Sequence, residues 1–258
     1  MTAFADLHVP GDPFILANAW DAGSAKVLAA LGARAVATSS AAHAFTLGRT
    51  DGQVTLDEAL DHARTLAEAV SVPVAIDFEA GFGATPEDVA EAVRAAAGTG
   101  AAGISIEDWD GTRPYDRSEA VDRLAAAAEA TRETSLHLTA RADGVMHGAY
   151  DMAEALARLA AFADAGADCL YAPLVPDWAA LAEVVAIGRP VNALAAGPWL
   201  AYDLEAFAKA GVARVSLGSS LARALQRDLV ARAGPLLASG RITALSHDSV
   251  AARIDAMM

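Results

Sequence analysis

Along this chain, short unbroken apolar runs alternate with longer stretches in which apolar residues recur every three or four positions. The runs are short enough to be strands and carry little polar alternation, as expected of strands buried on both faces. They lie at 14–17, 33–38, 72–77, 103–107, 136–141, 167–172, 190–194 and 212–217. The periodic stretches predict helices near 23–31, 55–70, 86–97, 118–131, 151–165, 177–187 and 203–210, with further helix filling the rest to Met258. A longer connection, 39–54, joins the second strand to its helix. Boundary chemistry agrees: Thr55 and Glu58 are spaced as a capping box, Thr85 precedes Pro86 at a helix start, and Gly32, Gly100, Gly166 and Gly211 each sit between a helix and the next strand. Eight β/α units in 258 residues predict a single α/β domain over 1–258, a (β/α)8 TIM barrel, with a doubly wound open sheet as the alternative. The tail, about 219–258, is longer than barrel closure needs and is available to pack on a partner subunit.

Charge enters this pattern at three particular places. The third run ends in Asp77-Phe78-Glu79, the fourth in Glu107-Asp108 and the fifth in Arg141-Ala142-Asp143. In parallel α/β folds the C-terminal strand ends lie side by side and build the site. Carboxylates gathered there repel one another unless a proton or cation intervenes. Asp77 and Glu79, two apart, would point the same way on a strand. With Asp51 in the long loop they make an oxygen-only set, which suits Mg2+ or Mn2+ better than zinc. The competing reading is that these acids cap helices or pair with arginines. Arg141 can meet a substrate carboxylate or a developing oxyanion, or pair with Glu107 or Asp143. Asn192 ends the seventh run, where it can bond a ligand or a turn. Ser39-Ser40, after the second run, can offer backbone N–H groups to an anion or cap a helix. His43 lies near them as a candidate acid or base; His137 and the lone cysteine, Cys169, fall inside strands and read as core.

Bulk composition narrows the classes. The net charge of −14 argues against nucleic-acid or anionic-membrane partners, and 54% hydrophobic residues supply a sizeable core. A single cysteine and a polar N-terminus fit a cytoplasmic protein, and no apolar stretch nears the ~20 residues of a membrane span. Lys26 and Lys209, the only lysines, fall in predicted helices, which argues against Schiff-base chemistry.

Several segments, in order, resemble the isocitrate lyase/phosphoenolpyruvate mutase superfamily: Asn18-Ala19-Trp20-Asp21-Ala22-Gly23-Ser24, Thr38-Ser39-Ser40-Ala41, Leu47-Gly48-Arg49-Thr50-Asp51-Gly52, Asp77-Phe78-Glu79-Ala80-Gly81, Ile106-Glu107-Asp108, Ala140-Arg141-Ala142-Asp143 and Arg214-Val215-Ser216-Leu217-Gly218. The resemblance implies a barrel whose last helix is swapped between subunits of a homodimer or homotetramer. It implies Mg2+ held by Asp77 directly, with Asp51, Glu79 and Glu107 binding directly or through water. It implies a small anionic carboxylate substrate, a 2-oxo or related acid, met by Trp20, Ser39, Ser40, Arg141 and Asn192. Arg141, Asp51 and Glu107 become the candidate catalytic groups, around an enolate formed as a neighbouring C–C or P–C bond breaks.

One stretch departs from the family pattern. The lyases carry a Lys-Cys-Gly-His type loop after the Glu-Asp pair, and the mutases a polar Lys/Asn loop. This chain instead reads Trp109-Asp110-Gly111-Thr112-Arg113-Pro114-Tyr115-Asp116-Arg117, with no cysteine, lysine or histidine. Arg113 or Tyr115 is placed to substitute. The expected activity is a Mg2+-dependent lyase or decarboxylase on a 2-oxo or 2-hydroxy (di)carboxylate. The alternatives are P–C mutase or hydrolase chemistry, and metabolite binding without catalysis.

Overall fold

A computed structural model describes residues 3–240, 242 and 251–258. Its eight strands form one closed barrel, each hydrogen-bonded in parallel to the next and the last to the first, so the open-sheet alternative is eliminated. They are β1 (Phe14–Asn18), β2 (Val36–Ala37), β3 (Val74–Asp77), β4 (Gly103–Glu107), β5 (His137–Arg141), β6 (Cys169–Tyr171), β7 (Val191–Leu194) and β8 (Arg214–Ser216). Around them lie α1 (Ala22–Ala30), α2 (Ser40–Thr46), α3 (Leu56–Ala69), α4 (Pro86–Ala97), α5 (Arg117–Thr134), α6 (Gly144–His147), α7 (Met152–Ala165), α8 (Trp178–Val185), α9 (Leu204–Lys209), α10 (Ser220–Ser239) and α11 (Ala251–Asp255).

Local chemistry sets the helix ends. The Thr55 hydroxyl accepts from Glu58 N while the Glu58 carboxylate accepts from Thr55 N, closing the capping box that opens α3. Gly166 ends α7 at φ 113°, a conformation that would strain any residue with a Cβ. Two expectations change. The connection 39–54 is not all loop: Ser39 caps α2, its hydroxyl accepting from Ala42 N. Seven residues of mostly small side chains build too little apolar periodicity to announce that helix. The second strand is also shorter than its apolar run, only Val36–Ala37. The tail expectation is tested only in part, because 241 and 243–250 lie outside the described residues.

Alternation along the strands divides the core. On β5, Leu138 and Ala140 join the large cluster with helix residues such as Leu124, Leu159 and Phe162, whereas Thr139 and Arg141 line the barrel interior. Below them the floor is closed by a 3-10 turn at Ala5–Leu7 and by Phe4, whose ring meets His8, Phe14 and His137 edge-on. Gly103 permits that plug, since a Cβ there would sit 2.5 Å from the Phe4 ring. His8 stacks on His137 with centroids 4.0 Å apart. Above this stack the Arg214 guanidinium donates to Asn192 Oδ1 at 2.9 Å and Thr139 Oγ1 at 3.1 Å, and meets His8 Nε2 at 3.0 Å. Because His8 Nδ1 lies 3.0 Å from the Phe4 carbonyl, Nδ1 carries the proton and Nε2 accepts from Arg214.

α10 stands apart. Ala222 is its one buried residue, while Leu225, Leu229, Val230 and Leu237 are exposed. No helix among the described residues is long and apolar enough to cross a membrane.

Candidate active site

Asp77, Glu107 and Arg141 are the last residues of three adjacent strands, so the fold places them together at the C-terminal mouth. Arg141 is the hub. It reaches Asp77 Oδ1 at 2.6 Å, Glu107 Oε2 at 2.9 Å and Asp143 Oδ2 at 2.6 Å, with a second bond to Asp143 Oδ1 at 3.2 Å. Burial opposes its charge, but Asp143, Glu107 and Asp77 more than offset this and hold the guanidinium firmly protonated. Asp77 Oδ2 accepts from Ser40 N at 3.0 Å and lies 3.1 Å from Ser40 Oγ. The same hydroxyl lies 3.0 Å from Asp51 Oδ1. One hydroxyl proton serves one of these two carboxylates at a time, so Asp51 and Asp77 compete for it.

Two cavities share this mouth. One, about 180 Å³, runs down the barrel between Asp77, Arg141, Ser39, Ser40, Asn192 and Arg214. The other, about 440 Å³, lies on the loop side among Asp51, Glu79, Glu107, Arg141 and Asp143. The strand rule for Asp77 and Glu79 therefore fails. β3 ends at Asp77 and Glu79 has φ 46°, so the chain has left the strand and Glu79 turns into the larger cavity, which Asp77 does not line. Burial, with Asp77 and Asp51 adding repulsion, pushes the Glu79 carboxyl up to about 7. Burial likewise pushes Glu107 well above the usual carboxylate range against the pull of Arg141.

Asp108 faces the opposite way from Glu107. It accepts from Asp143 N at 2.8 Å, Tyr150 Oη at 2.7 Å and Arg158 Nη1 at 3.0 Å, and so ties the tops of β4 and β5 to α7. Other expected contacts are redirected. Ser40 N is given to Asp77 and the Ser39 hydroxyl caps α2, while both residues line the narrower cavity. Asn192 bridges Ser216 Oγ and Arg214 Nε from within the barrel while lining the narrower cavity. Trp20 lines neither cavity; its backbone N–H donates to Ser24 Oγ at the head of α1. Loop 109–117 is a compact turn at the rim. Asp110 Oδ1 accepts from Thr112 N and Arg113 N, and Trp109 stacks on His147 at 4.0 Å. Of the two candidate substitutes, Tyr115 lines the larger cavity beneath Arg123, while Arg113 is exposed beside Asp110.

Among the described residues no three His, Cys, Asp or Glu side chains are arranged as a ready-made metal cage. Asp77 and Glu107 are turned onto Arg141 instead. The donor set nevertheless fits a hard divalent cation. Mg2+ keeps several waters and needs only one or two carboxylates, and Asp51, Asp77, Glu79, Glu107 and Asp143 gather at this mouth around Arg141. The Arg141–Asp143 pair is the one the sequence offered as an alternative role for Arg141, whereas Arg158 was not singled out and Arg214 only as part of the strand-eight motif. Asp108 lies just past the end of β4, where its side chain is set by its bonds to Asp143 N, Tyr150 and Arg158.

The phosphoenolpyruvate phosphomutase family model matches residues 4–237, nearly the whole barrel and most of α10. The chain belongs to that family. A protein of Mycobacterium tuberculosis without assigned function is 34% identical over 220 residues, covering 84% of this chain and 82% of its own. The 2-methylisocitrate lyase of Salmonella typhimurium is 29% identical over 245 residues, covering 86% and 82%. A solved structure from Burkholderia cenocepacia, provisionally named a lyase/mutase, superposes with a TM-score of 0.92 at 41% identity, covering 98% of this chain and 93% of that one. Family membership agrees with the resemblance carried by the strand-end motifs. Lyases and mutases both occur among these relatives, so membership alone leaves the bond undecided.

Proposed function

We propose that this chain is a Mg2+-dependent carbon–carbon lyase acting on a small 2-oxo or 2-hydroxy (di)carboxylate through an enolate. One observation carries this reading: a buried arginine, fixed by three carboxylates from neighbouring strand ends, stands where two polar cavities meet. A guanidinium held in that way is preorganised for an oxygen on which negative charge develops, and it needs no reorganisation as the charge appears. Arg141 would therefore bind the substrate oxygen that becomes the enolate oxygen. Asp77, Glu79, Glu107 and Asp51 would hold Mg2+ (or Mn2+), directly or through water. The ion would supply Lewis acidity and the charge balance that the surplus carboxylates require. Whichever of Glu79 and Glu107 does not bind the ion directly, both with carboxyl pKa values raised by burial in the metal-free chain, would be able to give or take a proton in place of the missing loop cysteine.

The family model's own chemistry motivates the second reading, rearrangement or hydrolysis of a P–C bond. Loop 109–117 weighs against it, having no lysine or asparagine to meet a phosphoryl group. A third reading keeps binding without turnover. The exposed apolar side chains of α10 support a homodimer or homotetramer in which this helix packs on a second copy of the chain.

One set of measurements separates the three. The lyase reading expects oxalate to bind only with Mg2+, pyruvate to exchange its methyl protons for deuterium, and a member of a 2-oxo and 2-hydroxy acid panel to be cleaved. Turnover of phosphonopyruvate instead would establish the second reading. Mg2+-dependent binding with no exchange would leave the third.

A further inference from the structure

Four buried side-chain nitrogen or oxygen atoms among the described residues have no hydrogen-bond partner in the chain: His43 Nδ1, His62 Nε2, Glu79 Oε1 and His137 Nδ1. The residues bearing the first three line one small cavity behind Ser39-Ser40, about 10 Å³ in volume. Such convergence is unusual, because each buried polar atom left unpaired costs about 1–3 kcal/mol. A cavity of this size admits about one water, and a buried water typically makes two to four hydrogen bonds.

Asp77, at the end of β3, also lines the cavity, and three other parts of the chain supply the unpaired groups. His43 comes from α2, His62 from α3, and their rings stack with centroids 3.8 Å apart and planes 6° from parallel. Glu79 comes from the loop after β3. It lines both this small cavity and the 440 Å³ cavity of the candidate site, and with Ser40 and Phe82 stands between them. Burial keeps both imidazoles neutral, His62 with a pKa of about 4. A neutral ring has one donor and one acceptor nitrogen. With its proton on Nδ1, His62 has Nε2 left to accept.

We propose that this cavity holds one ordered water, bonded to Glu79 Oε1, His43 Nδ1 and His62 Nε2, which fixes the Glu79 carboxylate from behind. The hydrogens balance. The water accepts from His43 Nδ1–H and donates one proton to His62 Nε2 and the other to Glu79 Oε1. Glu79 keeps its second oxygen for the open cavity. His43 and His62 are thus positioning residues; their consequence for ligand binding rests on the reading of Glu79 as a site carboxylate. The strained backbone at Glu79 and the close packing of Gly83 on the start of α4, where a Cβ would collide with Val89 N, leave the loop little freedom to place the carboxylate otherwise.

The test is a high-resolution crystal structure of the unliganded protein with two variants beside it. One water peak within hydrogen-bond distance of all three atoms is the expected result. A dry cavity, or a direct bond from Glu79 to either imidazole, overturns the proposal. His62→Phe removes the acceptor and displaces the water, whereas His62→Gln keeps a polar end in reach. Oxalate affinity in the presence of Mg2+, measured by calorimetry, should fall about tenfold in the first and recover most of that loss in the second. Equal losses, or none in His62→Phe, would count the pair as packing only. If oxalate fails to bind even the parent protein, the lyase reading fails, while the water peak still decides this proposal by itself.

Discussion

Two arginines are buried inside this barrel, and they are treated in opposite ways. Arg141, at the mouth, is surrounded by Asp77, Glu107 and Asp143. Arg214, nearer the floor, meets only neutral groups, Asn192, Thr139 and His8, and no carboxylate pairs with it among the described residues. Burial therefore pulls the Arg214 pKa down, while the carboxylates push that of Arg141 up. At the mouth, charge is concentrated and negative groups are in surplus. At the floor, one cation is spread through a hydrogen-bond lattice that joins β5, β7, β8 and the N-terminal plug. The mouth is built to meet charge that arrives or develops; the floor is built to hold strands in register.

The largest expected effect breaks the comparison at its centre. Arg141→Met should lower kcat for the substrate found in the panel by about 10³-fold, the scale of losing one preorganised oxyanion donor. Arg214→Met should change kcat less than tenfold and register instead in the denaturant midpoint. Similar losses of kcat in both variants would erase the distinction. Next, Asp108→Asn should cost about 3 kcal/mol of stability by urea unfolding, because it removes the buried charge partner of Arg158 and leaves it only the more exposed Glu154. An unchanged urea midpoint would contradict the role assigned to Asp108 in tying β4 and β5 to α7.

The floor also has a pH signature. His8 and His137 are kept neutral chiefly by burial, with Arg214 adding repulsion, and their pKa values fall to about 2 and 3. In the unfolded chain each takes a proton near 6.5. The unfolded state thus binds more protons below that value, and stability falls as pH drops from about 6.5 toward 3. At pH 5 each should account for about 2 kcal/mol of the loss. His137→Gln should flatten the slope of the denaturant midpoint between pH 7 and 5; an unchanged slope would remove His137 from this account. Smallest of all, Trp109→Ala gives up the stack on His147, worth about 1 kcal/mol, and should raise KM a few-fold with kcat unchanged.

Legibility in the sequence follows the same divide. The strands were readable because their outward residues, such as Leu138 and Leu170, are continuous apolar surface under the helices. The mouth was readable because strand ends are where charge interrupts such runs, so Asp77, Glu107 and Arg141 could be placed together from position alone. The floor was not. Thr139, Asn192 and Arg214 are single polar residues inside apolar runs, and only ring closure brings β5 against β7 and β8 through the barrel. The three stacked pairs, His8–His137, His43–His62 and Trp109–His147, join elements with no common spacing, so no motif foretells them. Glu79 was misdirected for a related reason: where β3 stops is decided by the loop that follows, and a period of two has no meaning past that point.

That same loop has an evolutionary side. Glu79 and Phe82 both sit at positive φ, where glycine or asparagine would be more at ease, and non-glycine residues there cost on the order of 1–3 kcal/mol each. Random drift, left to itself, favours the relaxed residue at such a position. A lineage that no longer needed this carboxylate would shed it early and become sturdier by doing so. Glutamate at position 79 therefore carries a conformational cost that glycine there would relieve.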